Sequence, residues 1–283
     1  MPIITKEGLY KDTTNEDYHA SPGLSNSKMS LLLPPSCPAN FKYHEELPHK
    51  DTNAFDVGTA VHTLCFEPKK FSRTFYTVTE IPKRNSNLGK AAHKAMIETA
   101  DGRVILDSAD CDLVKGMSTN IQNHAVWKSL MRRVEEEGVP PCIEYSLAWN
   151  DADHGVMLRS RPDFFTNTLI IDLKTTKDSS PMAFSRAVAE YGYHRQAALA
   201  CDGLTKLTGR TYDQVMLFVV DKNPPHFVRC YVIHQAAIDQ GRMEYKEAAR
   251  IYSECLYTNV WPGYPEVIEE IDIPSWAYRD FAA

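Results

Sequence analysis

"IIDLKTTKDSS", residues 170–180, is the stretch on which the fold turns. Ile170 and Ile171 read as the buried end of a β-strand, and Asp172 and Lys174 follow with only Leu173 between them. Along a strand, residues two apart point to the same side, so a carboxylate and an amine share one face. An exposed strand end carrying an ion pair explains that arrangement. A metal-dependent nuclease site explains it too, and the flanking sequence has to decide.

Immediately upstream, "CIEYSLAW" (142–149) alternates as a strand does, and "NDADHG" (150–155) is a turn cluster. "VMLRSRPDFF" (156–165) reads as a second strand, "TNT" (166–168) as a short turn and "LIIDLKT" (169–175) as a third strand. In the second strand Arg159, Arg161 and Asp163 share parity, as do Ile170, Asp172, Lys174 and Thr176 in the third. A short turn makes the two strands antiparallel neighbours, which sets Asp163 opposite Asp172 or Lys174. Two carboxylates converging beside a lysine suit a hard divalent cation, since Mg²⁺ takes oxygen ligands at about 2.1 Å and retains waters for chemistry. Each pair alone is weak; the ordered pattern Pro-Asp, eight residues, Asp-Leu-Lys is stronger.

Further out, "SPMAFSRAVAEYGYHRQAALACDGLTKLTG" (180–209) reads as a long helix broken or bent near Gly192. "YDQVMLFVV" and "FVRCYVI" are two more strands around the loop "DKNPPH", and "QAAIDQGRMEYKEAARIYSECL" is an amphipathic helix. Residues 1–140 read as mainly helical. Ser25 and Ser27 open a helix that "PPSCP" (34–38) closes, and "AFDVGTAVHTLCFEP" (54–68) is a helix ending before Pro68. Two more helical stretches cover 88–100 and 108–136. The fold class is therefore α/β in the α+β sense, with a mixed β-sheet flanked by helices and a helical N-terminal region. Residues 1–283 are expected to form a single domain, with an αβββαβ core at 141–260 and a tail at 261–283.

The chain has 283 residues and a net charge of −6, so a surface that is basic throughout is excluded, although a local channel is not. Its seven cysteines form no CxxC pair, which points to reduced thiols and away from zinc or an iron–sulfur cluster. The opening "MPIITKEGLYKD" lacks the pattern of a secretory signal, and "VMLFVV" (215–220) is too short to span a bilayer. A cytoplasmic protein without membrane contact is expected.

"RPD" (161–163) followed by "DLKTT" (172–176) resembles the PD-(D/E)xK nuclease motif. More closely, the sequence is similar to the RecE type (exodeoxyribonuclease VIII) of phage recombination exonuclease. The similarity runs through "YHASPGLSNSKM" (18–29), "DVGTAVHTLCFEP" (56–68), "LRSRPDFF" (158–165), "IIDLKTT" (170–176) and "YGYHRQAALACDG" (191–203). The resemblance implies a restriction-endonuclease-like core and a Mg²⁺-dependent exonuclease, with Mn²⁺ as an alternative ion. The implied activity degrades linear double-stranded DNA from a 5′ end to leave 3′ single-stranded tails for recombination.

It further implies His62, Asp163, Asp172 and the backbone carbonyl of Leu173 as metal ligands, with Glu144 as a further acidic candidate. Lys174 is implied as the catalytic lysine and Gln196 as its support from the following helix. Related RecB-type enzymes carry a tyrosine four residues after that glutamine; position 200 is Ala here, and Tyr193 is available instead. Ser25, Ser27 and Lys28 are candidates for a terminal 5′-phosphate, and Arg159, Arg161, Thr175 and Thr176 for phosphates around the cut bond. A homo-oligomeric ring, a tetramer in the resembled type, and a single-strand annealing protein are the implied partners beside DNA ends. Three other readings stand beside this one: an endonuclease, RecB-like or CRISPR-associated enzyme of the same fold, an inactive DNA-binding or assembly protein, and a small-molecule metallohydrolase, which would need a closed pocket.

Overall fold

The computed structural model describes residues 3–47, 57–274 and 278; residues 54–56 of the helix expected at 54–68 lie outside them. The N-terminal part runs β1 (Gly8–Tyr10), α1 (Asn15–Ala20), α2 (Asn26–Leu32), α3 (Pro38–Glu46), α4 (Val57–Phe66) and α5 (Pro68–Thr74). It continues with β2 (Phe75–Thr77), α6 (Asn87–Ala100), β3 (Val104–Leu106), α7 (Ser108–Asn123) and α8 (Ala125–Glu137). The C-terminal part adds β4 (Cys142–Ile143), β5 (Ser146–Asn150), β6 (Met157–Ser160), β7 (Phe164–Phe165) and β8 (Ile170–Thr176). After these come α9 (Pro181–Glu190), α10 (Tyr193–Thr208), β9 (Met216–Asp221), β10 (Val228–Val232) and α11 (Gln235–Thr258).

The mixed sheet expected from the sequence is present. Five strands lie in the order β10-β9-β8-β7-β4, with β8 and β9 parallel and the other neighbours antiparallel. The parallel pair is joined through α9 and α10, as a parallel connection requires. Gly192, at φ +63°, ends one helix and starts the next, in the left-handed region that glycine enters without steric cost.

Alternation along β8 and β9 divides the interior into two cores. Ile170, Leu217 and Val219 face one side, where they pack with Ala197, Leu204 and other residues of α10. Ile171, Leu173, Phe218 and Val220 face the other, against Val61 of α4, Val114 and Met117 of α7 and Trp127 of α8. The sheet is thus covered on both faces, which accounts for its nearly unbroken run of apolar residues.

Each of the first two strands expected in the catalytic part divides in two. "CIEYSLAW" forms β4 and β5, separated at Glu144, and "VMLRSRPDFF" forms β6 and β7, separated at residues 161–163. The outer halves pair with β1 in a three-stranded sheet, β1-β5-β6, while the inner halves join the five-stranded one. Pro162 offers no N–H to a ladder, and Glu144 adopts a left-handed φ of +55°. The two breaks face each other, with the Glu144 N–H donating to the Asp163 carbonyl at 3.0 Å. The helical stretch at 108–136 also divides, at His124, whose backbone is extended (φ −63°, ψ 133°). Trp261, at the start of the tail, stacks on Phe41 with ring centroids 5.5 Å apart; Trp276 lies outside the described residues.

Helix α10 is held against α11 at one close approach. A Cβ on Gly241 would stand 2.5 Å from the His194 carbonyl oxygen and 2.7 Å from Arg195 Cα, both backbone atoms that cannot swing away. Gly241→Ala is therefore expected to destabilise the fold by about 1–3 kcal/mol, read as a lowered midpoint in thermal or urea denaturation.

Candidate active site

Three carboxylates occupy one transverse row of the sheet. β4 and β7 pair as Ile143↔Phe164, and β7 and β8 as Phe164↔Ile171. One step beyond these pairs, Glu144, Asp163 and Asp172 fall in line, at the place where β4 and β7 end. Among the described residues, His62, Glu144 and Asp163 form a group whose ligand atoms lie within 4.8 Å of one another. His62 Nδ1 is 3.4 Å from Asp163 Oδ2 and 3.8 Å from Glu144 Oε1.

His62 reaches this group from α4, which packs on β8. Its Nε2 donates to the Leu173 carbonyl at 2.7 Å, which leaves Nδ1 turned toward the carboxylates. The N–H of the same residue, Leu173, donates to Asp163 Oδ2 at 2.6 Å. One residue of β8, through the two peptide groups that flank it, therefore holds both His62 and Asp163.

On the other face of β8, Lys174 Nζ lies 2.6 Å from Asp172 Oδ1 and donates to Gln196 Oε1 at 3.1 Å. Gln196 Nε2 donates in turn to Asp172 Oδ2 at 2.7 Å. The ammonium thus stands against both Asp172 and the amide that bonds it. The ring of Tyr193 lies 4.5 Å from the ammonium, a cation–π contact. Gln196 and Tyr193 both come from the first turn of α10, which Gly192 allows to begin at this point.

These buried charges shift one another. Burial, and then the neighbouring Asp172, push the Asp163 carboxyl up to about 7 against the pull of His62 and Lys174. Burial favours neutral imidazole at His62, but Asp163 and Glu144 outweigh it and lift the pKa to about 9. Burial likewise opposes the charge on Lys174, and Asp172 and Asp163 override it, so the pKa is raised. Protonated imidazole at His62 thus neutralises a carboxylate pair that a bound cation would neutralise equally well. Two acidic oxygens and one imidazole nitrogen are a fitting donor set for Mg²⁺ or Mn²⁺. His62, Glu144 and Asp163 are the residues that would hold the ion, with Asp172 at the adjoining position.

The remaining candidates are distributed differently. Arg159 and Arg161 were expected on the active-site face by parity, and the break at 161–163 removes that relation. Arg159 is 1% exposed and donates to the carbonyls of Tyr18 and Gly23. It bonds the β6 edge to the N-terminal segment and is not available to a phosphate. Arg161 donates to Ser146 Oγ at 2.8 and 2.9 Å, to Asn15 Oδ1 at 2.8 Å and to the Thr13 carbonyl at 3.0 Å. Both guanidinium groups lie over the ring of Tyr18, at 4.8 and 4.3 Å. Ser25 is 6% exposed with its Oγ 3.1 Å from that of Ser27, and Lys28 pairs with Glu45 at 3.0 Å. Thr175 and Thr176 are half-buried at the end of β8.

A cleft of about 520 Å³ opens on the His62 side, lined by His62, Glu144, Arg161, Thr59, Phe66 and Lys70 among others. The sequence reading passed over Thr59, Thr63, Phe66, Glu67 and Lys70. Their signal is helical spacing from His62, repeated every three to four residues and continued past Pro68 into α5.

The site therefore joins a sheet-borne carboxylate row, a helix-borne histidine and a strand-borne lysine within an α/β sandwich. The sequence family described as "PDDEXK-like domain of unknown function (DUF3799)" matches residues 25–274, and the chain belongs to that family. Among solved structures, one described as a candidate exonuclease from Eubacterium rectale is similar over 93% of this chain and 96% of its own. Its TM-score is 0.56 at 13% identity, a likeness of fold. A phage-related exonuclease from Haemophilus somnus 129PT matches over 71% of this chain and 95% of its own, at 12% identity and a TM-score of 0.29. An alkaline exonuclease from Laribacter hongkongensis matches over 68% and 96%, at 13% identity and a TM-score of 0.26. No curated protein matches the sequence.

Metal binding at this site competes with protons. Asp163 must ionise near 7 and His62 must lose its proton near 9, so affinity rises with pH across that interval. Titration calorimetry with Mn²⁺ in buffers of different ionisation enthalpy is expected to show proton release, and up to about a tenfold gain in affinity per pH unit. Glu144→Ala is expected to weaken Mn²⁺ binding by about tenfold or more while leaving the fold intact by circular dichroism.

Proposed function

We propose that this chain is a divalent-metal-dependent exodeoxyribonuclease that shortens one strand of linear duplex DNA from its 5′ end and leaves a 3′ single-stranded tail. The observation that carries this reading is the row Glu144–Asp163–Asp172 across three strands, flanked by His62 on one face of β8 and Lys174 on the other. Membership in a PDDEXK-like family supports metal-assisted phosphodiester hydrolysis. The Eubacterium rectale protein of similar fold is described as a candidate exonuclease, which is in keeping with attack at ends. The 5′ polarity and the duplex substrate rest on the sequence resemblance to the RecE type.

Mg²⁺ is the proposed ion, with Mn²⁺ able to replace it; when bound, it supplies positive charge to the phosphate and lowers the pKa of a coordinated water. The protein's own groups do the rest. Asp163 and Glu144 provide anionic oxygens, held at a fixed spacing by the Glu144 N–H bond to the Asp163 carbonyl. Lys174 has a raised pKa and is protonated at neutral pH, so it acts as a donor that orients water and balances phosphate charge. Gln196 keeps the ammonium and Asp172 in register by bonding both. Assembly as a ring of subunits, a tetramer in the type it resembles, and work alongside a single-strand annealing protein complete the proposal. So does a single domain acting in the cytoplasm; no described helix is long and apolar enough to cross a membrane.

The test uses linear duplex DNA labelled at one 5′ or one 3′ end, with Mg²⁺ or EDTA, beside a closed circle. Early metal-dependent release of the 5′ label with circles spared is the expected result. Lys174→Ala is expected to slow release by at least about 10²-fold while Mn²⁺ binding persists. Nicked or cut circles would replace this reading with an endonuclease, and absence of cleavage on every substrate would replace it with a binding role.

A further inference from the structure

Charge is distributed unevenly along this chain. Residues 68–97 hold seven Lys or Arg and one acid, Glu80, a local charge of +6; the total of −6 leaves the remainder at −12. Lys69, Lys70, Arg73, Lys83, Arg84, Lys90 and Lys94 are all exposed. Only Lys70 and Lys94 make ion pairs among the described residues, with Glu67 and Glu98. Elsewhere Lys28, Arg195, Arg242 and Arg250 are each matched to a carboxylate, while Lys115, Lys128, Arg132, Lys222 and Arg229 make no ion pair among the described residues; what sets the segment apart is seven cations against one acid.

The segment is ordered rather than a loose basic run. Helix α5 packs on β2, β2 pairs with β3, and β3 packs on α6. Ser86 caps α6 by accepting from the Gly89 N–H at 3.0 Å. The turn before α6 closes so tightly that a Cβ on Gly89 would stand 2.1 Å from the Lys83 carbonyl oxygen. Lys83 and Arg84 are thereby held beside the first turn of α6, next to Lys90. At the other end, Lys70 and Thr74 line the cleft that contains His62 and Glu144.

We propose that α5, the turn at residues 83–86 and the start of α6 form a phosphate-backbone-binding face for the nucleic acid whose end enters the cleft. This rests on the nucleic-acid reading above and adds to it the part of the molecule that carries the substrate. Cations left unpaired in an otherwise acidic chain, starting at the cleft wall, match an evenly spaced polyanion that extends beyond the reacting bond. The term is electrostatic and independent of base sequence.

The test compares the Lys83→Gln/Arg84→Gln/Lys90→Gln protein with a control carrying Lys128→Gln/Arg132→Gln, an exposed basic pair on α8. Anisotropy of a labelled blunt duplex and of a single strand of equal length is measured in EDTA between about 50 and 200 mM salt, after circular dichroism has verified folding. The triple variant is expected to bind at least about tenfold more weakly and to lower the salt slope by about 2–3, with the control near the unmodified protein. A larger loss on the duplex assigns the face to the uncut arm, and a larger loss on the single strand assigns it to the strand left behind. Unchanged affinity in the triple variant, or an equal loss in the control, overturns the proposal.

Sedimentation of the same proteins tests an acidic protein partner. Loss of self-association with nucleic-acid affinity intact would give the face to the acidic 266–272 segment of another copy and overturn the proposal. Binding through this face by a protein that cleaves nothing in Mg²⁺ would leave this proposal standing and remove the exonuclease.

Discussion

The structure depends on a contact between two breaks. Glu144 takes a left-handed φ on one strand, strand pairing is interrupted at residues 161–163 on the next, and the N–H of Glu144 joins them through the Asp163 carbonyl. Without the breaks, four half-strands would be two long ones in a single sheet, and alternation would send Glu144 and Asp163 to whichever face pleating dictated. With them, the inner halves stay in the covered five-stranded sheet, the outer halves join β1, and the corner between is lined with carboxylates. A left-handed backbone at a non-glycine residue costs of order 1 kcal/mol or more, and here that conformation directs an acid into the row.

Electrostatics complement that geometry. Buried carboxylates side by side are unfavourable unless something positive stands near. The protein supplies two such groups from opposite sides of β8, imidazolium at His62 and ammonium at Lys174. They are not equivalent. Lys174 is enclosed by Asp172, Gln196 and the Tyr193 ring, so its charge is held in place. His62 lines an open cleft, where a bound cation would compete with its proton. One positive group is fixed and the other is exchangeable.

Much of this was readable in advance, with physical limits. The apolar runs and turn clusters of the C-terminal part located the strands, and the spacing from Asp163 to Lys174 survived because β7, the turn and β8 form a regular hairpin. Parity failed at Arg159 and Arg161, since it holds only while a strand remains pleated. Pro162 hinted at the break, but the sign of φ at Glu144 is set by tertiary packing and leaves no mark in composition. Tyr18, which lies beneath both arginines, sits within a stretch singled out as a motif, yet its partners are more than 140 residues away in sequence. The line of side chains from Thr59 to Lys70 was within reach, because it follows the helical period of His62.

Strand β8 also acts as a partition. The histidine-side group depends on α4 and the corner at Glu144, whereas the lysine-side group depends on α10 and its seat on α11; they meet through the peptide groups of residues 172–174 and through the charges that Asp163 and Asp172 exert across the strand. The two halves are therefore joined by charge as well as by backbone. A chain altered in the lysine half would keep the Glu144–Asp163 corner but lose one of the two charges that hold the Asp163 pKa down. One altered in the histidine half would keep the anchored ammonium and lose the other. A change on either side of the strand is thus felt at the same carboxyl.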